Sequence, residues 1–486
     1  MATSQLPVET LPTWAMFHDV DLVDVEAREI PGCGLGLISN KELSREEETF
    51  DIPTLLRISH ELVLSAEAVE NYAKVDKNFR QLLDAAGHKS TRHDICLFLL
   101  TQMVLSDRPK TSLKGGVSTP WTEYVKYLPP QVPVTTLWTE QEREMLKGTS
   151  LEAATAAKIV ALTDEFDELR DTSTTLPFWN ELFWESDKVS LIDWVRVDAW
   201  FRSRCLELPK SGDAMVPVLD LANHSFKANA YYEENGKDEV VLLLRPGCRV
   251  SPGEEMTISY GDAKSGAEML FSYGFIDPAS AADRITLSMT AIEDDPLGKA
   301  KLHIFEGPPT VEFVRTNGSV SWKSPFAYFM CLNEEDGLSF RVLQDTGGSR
   351  ELKVFWQEDD VTTTTMAFEQ HIVGHPLAEI FRLRVVTVLQ DLVAGQLERL
   401  ATGMSLVDLD ESLDEGGLVC GACISAAATL REQETSLLGA AVHALEDQKT
   451  QLLADENVVA YLGSMEDTQN ELVVLNEESN EEEDFS

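Results

Sequence analysis

With 83 acidic residues against 40 basic ones in a chain of 486, the formal net charge is −43, which repels phosphate backbones and argues against direct nucleic-acid binding. Hydrophobic content of 43% and charged content of 25% fit a globular protein of two or three domains, and nothing approaches the roughly 18 uncharged apolar residues of a membrane span. The same charge would steer a basic partner such as a lysine-rich tail, a ribosomal protein or a histone, although solubility alone is the plainer reading.

The N-terminus, MATSQLPVETLPTW, has neither a basic start nor an apolar stretch, so no signal peptide is expected and the protein is placed in the cytoplasm, the nucleus or both. Residues 20–56 read as short strands, VDLVDVEAREI, GLGLIS and ETFDIP, with turns at Pro31-Gly32 and Ser39-Asn40. From about Leu55 the apolar spacing becomes helical in LLRISHELVLSAEAVENYAKV and HDICLFLLTQMVLSD. LEAATAAKIVALTDEFDELR and LIDWVRVDAWFRSRCLEL carry that pattern to about residue 208. Strands return from Met215 to Tyr260, and SGAEMLFSYGF follows as a short helix. Beyond Asp277, RITLSMTAI, VEFVRTNGSVS and ELKVFWQ allow strands; LAEIFRLRVVTVLQDLVAGQLERLA and Leu430 to Leu462 read as amphipathic helices. The tail, NEESNEEEDFS, holds acids and no bases and is expected to be disordered.

One polar break needs a cause. DLANHSF, residues 220–226, lies between the apolar runs MVPVLD and EVVLLL. Asn223-His224-Ser225 is a glycosylation acceptor by pattern, as is Asn317-Gly318-Ser319, but without a signal peptide that reading lapses. A buried polar cluster is costly unless satisfied, so it is expected to line a site. The glycines of GCGLGLIS suggest a dinucleotide loop, yet no helix opens after them. Seven cysteines, an odd number, are expected as reduced thiols. Cys420 and Cys423 form a lone C-x-x-C with no second pair nearby, so no metal is expected and packing on a helix is the plainer reading.

Taken in order, GCGLGLIS, DLANHS, GEEMTISYGD (253–262) and AEMLFSYGFID (267–277) resemble the SET-domain methyltransferases. The branch they look most like includes the Rubisco large-subunit methyltransferase. The segment 118–149 adds Trp121, Tyr124, Leu128-Pro129, Trp138 and Gly148-Thr149 to that likeness. No cysteine lies between Cys248 and Cys331, so the zinc module that follows the catalytic tyrosine in many histone-directed members is missing. The resemblance implies an α+β fold: a SET-domain β-fold with a pseudoknot over residues 20–277, carrying a helical insertion at about 57–208. A mainly α-helical, substrate-associated C-terminal domain would follow over 284–465, and an acidic tail over 470–486.

The resemblance also implies S-adenosylmethionine as cosubstrate, a lysine side chain as methyl acceptor, and a protein substrate, basic and non-histone, bound by a monomer. No metal, nucleic acid or membrane enters. Backbone at Cys33, Gly34 and Leu35 would contact the cofactor, and Asn223 and His224 would hold its adenine and amino-acid portions, largely through main-chain groups. Ser203 and Arg204 fit the place where relatives set an arginine on the cofactor carboxylate, with Arg202 as the other choice. Tyr260 would be the catalytic residue, orienting the amine rather than removing its proton, since a tyrosine pKa near 10 does not suit a base. Tyr260 also touches the cofactor in this reading, and Tyr273 would form the second wall of the lysine channel. Asp220 would satisfy backbone donors. Relatives that methylate histidine have lost the tyrosine matching Tyr273, which favours lysine here; a non-catalytic scaffold for a basic partner is the other reading.

Overall fold

The computed structural model describes residues 5–47, 52–107, 116–185, 189–278, 280, 282–292, 295–344, 350–408 and 420–464. The expected acidic tail lies outside them. The chain divides into two compact units: Met1–Glu144, Leu151–Ala281 and Gly417–Ala426 form the first, and Met145–Ser150, Ala282–Gly416 and Ala427–Ser486 the second.

The first unit opens with α1 (Leu11–Phe17), which buries Leu11 and Trp14 in the same core as the strands, so this unit begins before residue 20. Strands β1 (Asp21–Leu22), β2 (Val25–Ile30), β3 (Gly34–Ser39), β4 (Leu43–Ser44) and β5 (Thr54–Ser59) follow. The helices are α2 (Ala66–Val75), α3 (Lys77–Ala86), α4 (Thr91–Ser106), α5 (Pro120–Tyr124), α6 (Glu140–Glu144), α7 (Ser150–Thr174), α8 (Pro177–Trp179) and α9 (Leu191–Arg204). Then come β6 (Cys205–Leu208), β7 (Gly212–Met215), β8 (Asn223–His224), β9 (Ala230–Glu234), β10 (Glu239–Leu244), β11 (Arg249–Val250), β12 (Glu255–Ile258) and α10 (Gly266–Tyr273).

Two boundaries differ from the sequence reading, and both have the same cause. Leu55, Leu56 and Ile58 suit a helix face, but β5 instead pairs antiparallel with β10 and β1, which buries all three. The helical run starts at Ala66, where the Ser65 hydroxyl caps it by accepting the Ala68 N–H. Likewise α9 stops at Arg204, and CLEL pairs as β6 with β7 rather than extending the helix. Short apolar runs satisfy either period, and the available partner strand decides.

The helical insertion fixes the end of α9. Residues Ile95 to Val104 of α4 are buried on every side, as expected for a helix apolar all round, and α9 packs on it. Asp198 on α9 is fully buried and meets three cations: Arg92 at 2.8 Å, Lys158 at 3.0 Å and Arg202 at 2.8 Å. They outweigh the burial penalty and hold its carboxyl below the usual range. Trp200 Nε1 donates to the Pro129 carbonyl at 2.8 Å, tying α9 to the Leu128-Pro129 segment.

Sheet order is β1-β5-β10-β9 in one four-stranded sheet and β2-β3-β12-β8 in another, with β11-β4 and β6-β7 as pairs. In the second sheet β12 lies between β3, antiparallel, and β8, parallel, with Thr257 opposite Asn223 and Ile258 opposite His224. That insertion of β12 brings three distant segments to one sheet.

In the second unit the runs RITLSMTAI, VEFVRTNGSVS and ELKVFWQ do form strands, and two more join them among the described residues. Strands β13 (Asp283–Ser288), β14 (Thr310–Thr316) and β15 (Ser319–Lys323) make one antiparallel sheet; β16 (Leu338–Gln344), β17 (Arg350–Trp356) and β18 (Asp359–Asp360) make another. Helices α11 (Gly298–Ile304), α12 (Ala327–Cys331), α13 (Phe368–Ile372), α14 (Ala378–Asp408) and α15 (Gly421–Leu453) accompany them, α15 having its first turns in the first unit. Its core joins Phe313, Phe326, Phe329, Phe368, Phe381 and Leu438. A cavity of about 360 Å³ among Trp322, Tyr328, Glu379, Arg382 and Leu452 lies here and holds none of the candidate catalytic residues.

Candidate active site

The turn between β2 and β3 is closed by the Cys33 N–H donating to the Ile30 carbonyl at 3.0 Å. Gly34, with φ +78°, takes the left-handed conformation that glycine adopts without strain, and the space beside it is open. Cys33 is exposed and Leu35 half-buried. Gly36 is a different case. A Cβ there would lie 2.7–2.9 Å from Ile30, the Glu255 carboxylate and the Asn223 amide. The bare backbone lets Asn223 close in: its Nδ2 donates to the Leu35 carbonyl at 3.3 Å and to Glu255 Oε1 at 2.7 Å. Cys33, Gly34, Leu35 and Asn223 therefore share one end of the sheet. Strand β8 ends that sheet, so among the described residues one edge of the main chain at Asn223 and His224 pairs with no strand.

His224 joins the next group. Its Nδ1 accepts the Tyr260 N–H at 3.0 Å, which puts the ring proton on Nε2, facing Asp277 Oδ2 at 3.3 Å. Burial lowers its pKa below 6.5, against the opposing charge of Asp277, so the neutral tautomer is the working form. Tyr260 lies between His224 and Tyr273, its ring tilted to both, with centroids 5.2 and 4.6 Å away, and Phe275 completes the aromatic wall 6.4 Å from Tyr273. The Tyr260 hydroxyl donates to the Ala222 carbonyl at 2.9 Å, and the Tyr273 hydroxyl reaches the Tyr260 carbonyl at 3.5 Å. Burial raises the pKa of both phenols, that of Tyr273 to about 12, so both are neutral donors at physiological pH.

Helix α10 places Tyr273. A capping box of Ser265 and Glu268 starts it, and Gly274, at φ +85°, ends it with N–H bonds to Met269 and Leu270 carbonyls. A Cβ on Gly274 would meet the Pro133 backbone at 2.6 Å. The chain thus turns sharply between Tyr273 and Phe275.

Arg204, at the end of α9, is close enough to Tyr260 for its charge to be felt there. Its guanidinium donates to the Asp220 carbonyl oxygen at 2.7 Å and to Asp220 Oδ2 at 3.2 Å. Burial pushes the Asp220 carboxyl up, while Arg204 and the Tyr124 hydroxyl, which donates to it, pull the other way. The Tyr124 oxygen in turn accepts the Val218 N–H at 2.7 Å. Val218 is fully buried at φ +69°, a strained conformation for a β-branched residue that this hydrogen bond helps to hold. Asp220 does satisfy its surroundings, but through side chains more than the backbone donors expected. The Nε of Arg204 is buried with no hydrogen-bonding partner among the described residues.

The other candidates on α9 stand apart. The Ser203 hydroxyl turns back onto its own helix, donating to the Ala199 carbonyl at 2.7 Å. Arg202 is spent on Asp198, Thr136 and the Phe271 carbonyl, and lies over the Phe271 ring. Of the two arginines, Arg204 is the one with a buried donor, Nε, that finds no acceptor among the described residues. Glu255, Asp277 and Phe275 lie beside these residues and were not singled out from sequence. All three sit inside the quoted motifs, but nothing in a linear pattern says that Glu255 faces Asn223 or that Asp277 faces His224.

Strand β12 inserted between β3 and β8, Tyr260 just past its end and Tyr273 at the end of α10 belong to a fold shared with the SET class of protein methyltransferase. The solved SET domain of LSMT bound to lysine and AdoHcy superposes with a TM-score of 0.66 over 92% of each chain, at 22% identity. The chain belongs to the SET-domain family, related to the Rubisco large-subunit enzymes: it is 31% identical to SET domain-containing protein 8 of Schizosaccharomyces pombe, over 71% of this chain and 76% of that one. It is 26% identical to the chloroplastic [fructose-bisphosphate aldolase]-lysine N-methyltransferase of Arabidopsis thaliana, over 63% of this chain and 60% of that enzyme. No protein-family model matches the sequence.

Proposed function

We propose that this protein transfers a methyl group from S-adenosylmethionine to a lysine side chain of a protein substrate. The observation that carries the reading is the Tyr260–Tyr273 pair, neutral, in ring contact and set against the Asn223–His224 strand. S-adenosylmethionine supplies an electrophilic methyl on a sulfonium. The fit of the residues is physical: Arg204 Nε is a buried donor lacking an acceptor, as a carboxylate would provide, and the space around Gly34 is open. Asn223 and His224 offer main-chain groups on a free strand edge.

The protein's own residues have three tasks. The lysine amine, with an ordinary pKa of about 10.4, must lose its proton, and the rings of Tyr260, Tyr273 and Phe275 disfavour the cation by excluding water. Tyr260, its O–H committed to Ala222, leaves its oxygen lone pairs to receive an N–H and so aim the nitrogen lone pair. It cannot act as the base, because burial keeps it protonated. Tyr273 limits the width of the channel. The Arabidopsis relative, which keeps a lysine acceptor in its name, supports the choice of lysine. The net charge of −43 favours a basic protein as substrate.

Calorimetry with S-adenosylmethionine tests the site. Asn223→Ala should weaken binding more than about tenfold, about 1.4 kcal/mol, because Leu35 and Glu255 lose the amide that joins them. Unchanged affinity in a folded variant would refute the placement.

A further inference from the structure

The C-x-x-C pair acquires a third member from far away in the chain. Glu142, buried, brings its carboxylate to Cys420 and Cys423, and the two sulfurs and a carboxylate oxygen lie within 4.8 Å of one another. These residues all belong to the first unit.

The carboxylate is held in place by hydrogen bonds. Glu142 is the third residue of a capping box for α6: its Oε2 accepts the Thr139 N–H at 2.7 Å and hydroxyl at 3.0 Å, and its own N–H donates to Thr139 Oγ1 at 3.2 Å. Oε1 accepts the Cys420 N–H at 2.9 Å. The Cys423 thiol also hydrogen-bonds to this carboxylate. The two cysteines are themselves preset. Cys423 donates its backbone N–H to the Cys420 carbonyl at 2.9 Å, a single turn that keeps both side chains on one side. Cys423 is buried in α15 and Cys420 is exposed beside it, which leaves a side open to water.

We propose that Glu142, Cys420 and Cys423 form a zinc site, with water as the fourth ligand. Two thiolates and one carboxylate suit a borderline-soft divalent ion, and three protein ligands with an open position are an established coordination for it. Outer hydrogen bonds of the kind made by Thr139 orient ligating carboxylates in such sites. Loading would release the proton of each thiol, and the site with its ion would carry a net charge of about −1. Clamping the start of α15 onto α6 is the structural consequence.

The test uses the full-length chain, stripped with chelator and kept reduced by a phosphine, titrated with cobalt(II) as the spectroscopic stand-in. One equivalent should produce thiolate-to-cobalt charge-transfer absorption in the near ultraviolet and tetrahedral visible bands, both abolished by zinc. Cys420→Ser and Cys423→Ser should each weaken binding at least about a hundredfold, and Glu142→Gln, which keeps the helix cap, about tenfold or more. Cys331→Ser, in the second unit, should bind as the wild type does. Absence of the charge-transfer band at one equivalent of cobalt(II) would overturn the proposal. So would equal binding by the doubly substituted Cys420→Ser/Cys423→Ser chain, or by Glu142→Gln.

Discussion

The Tyr260 N–H and Asp277 contacts of His224 fit one neutral tautomer, while burial outweighs Asp277 and the Ile258 backbone, which favour the charged ring. Nδ1 must lack a proton to accept the Tyr260 N–H, and Nε2 must carry one to face Asp277. Burial lowers its pKa below 6.5. Between the lowered value and 6.5 the unfolded chain binds a proton that the folded chain does not, so stability falls as pH drops from about 6.5 and levels off below the folded pKa. Urea midpoints should therefore decline over that window in the wild type, and the decline should be shallower in His224→Gln. Parallel curves would contradict the assigned tautomer. Asn223, His224 and Tyr260 were readable from their motifs, because a polar break between apolar strands needs a reason. Arg204 was readable as a choice between two arginines; only packing shows that Asp198 and Phe271 consume the other. Val218 was not readable at all, since its positive φ depends on Tyr124, 94 positions earlier in the chain.

At the scale of elements, α10 and the turn after it set the distance between Tyr273 and Phe275. Gly274 has both a positive φ and the Pro133 backbone where a side chain would go. Gly274→Ala should destabilise the protein by about 2 kcal/mol or more, since strain and overlap add. It should also slow methyl transfer more than Gly253→Ala, at a glycine that shares the positive φ but has open space. Equal loss at both positions in denaturant titration would mean that Pro133 gives way. The helix itself was legible from its spacing and caps. The β5 strand was not, because Leu55, Leu56 and Ile58 fit a helix equally well until β10 is present to pair with them. The same holds for Cys420 and Cys423: as a pair they lacked a partner, and their partner is a glutamate 278 positions from Cys420.

For the whole molecule, the net charge of −43 bears on how a substrate arrives. If the surface steers a basic protein, kcat/KM should fall as salt rises from roughly 50 to 300 mM, as screening shortens the Debye length below about 10 Å. A flat response would leave the charge as a solubility device. The order β, helical insertion, β and then a second unit was legible from composition and period, whereas the insertion of β12 between β3 and β8 is a long-range pairing that no local pattern encodes. That pairing puts Tyr260 beside Asn223, and the central claim rests on its hydroxyl. The direct measurement is transfer of labelled methyl from S-adenosylmethionine to protein in an extract lacking the endogenous enzyme, with wild type and Tyr260→Phe compared at matched cofactor occupancy. The account predicts a labelled protein carrying methyl-lysine, cofactor affinity within a few-fold of wild type in the variant, and a rate lower by roughly 10² or more. Methylation by Tyr260→Phe at the wild-type rate, or cofactor binding by both with no protein labelled by either, would contradict it.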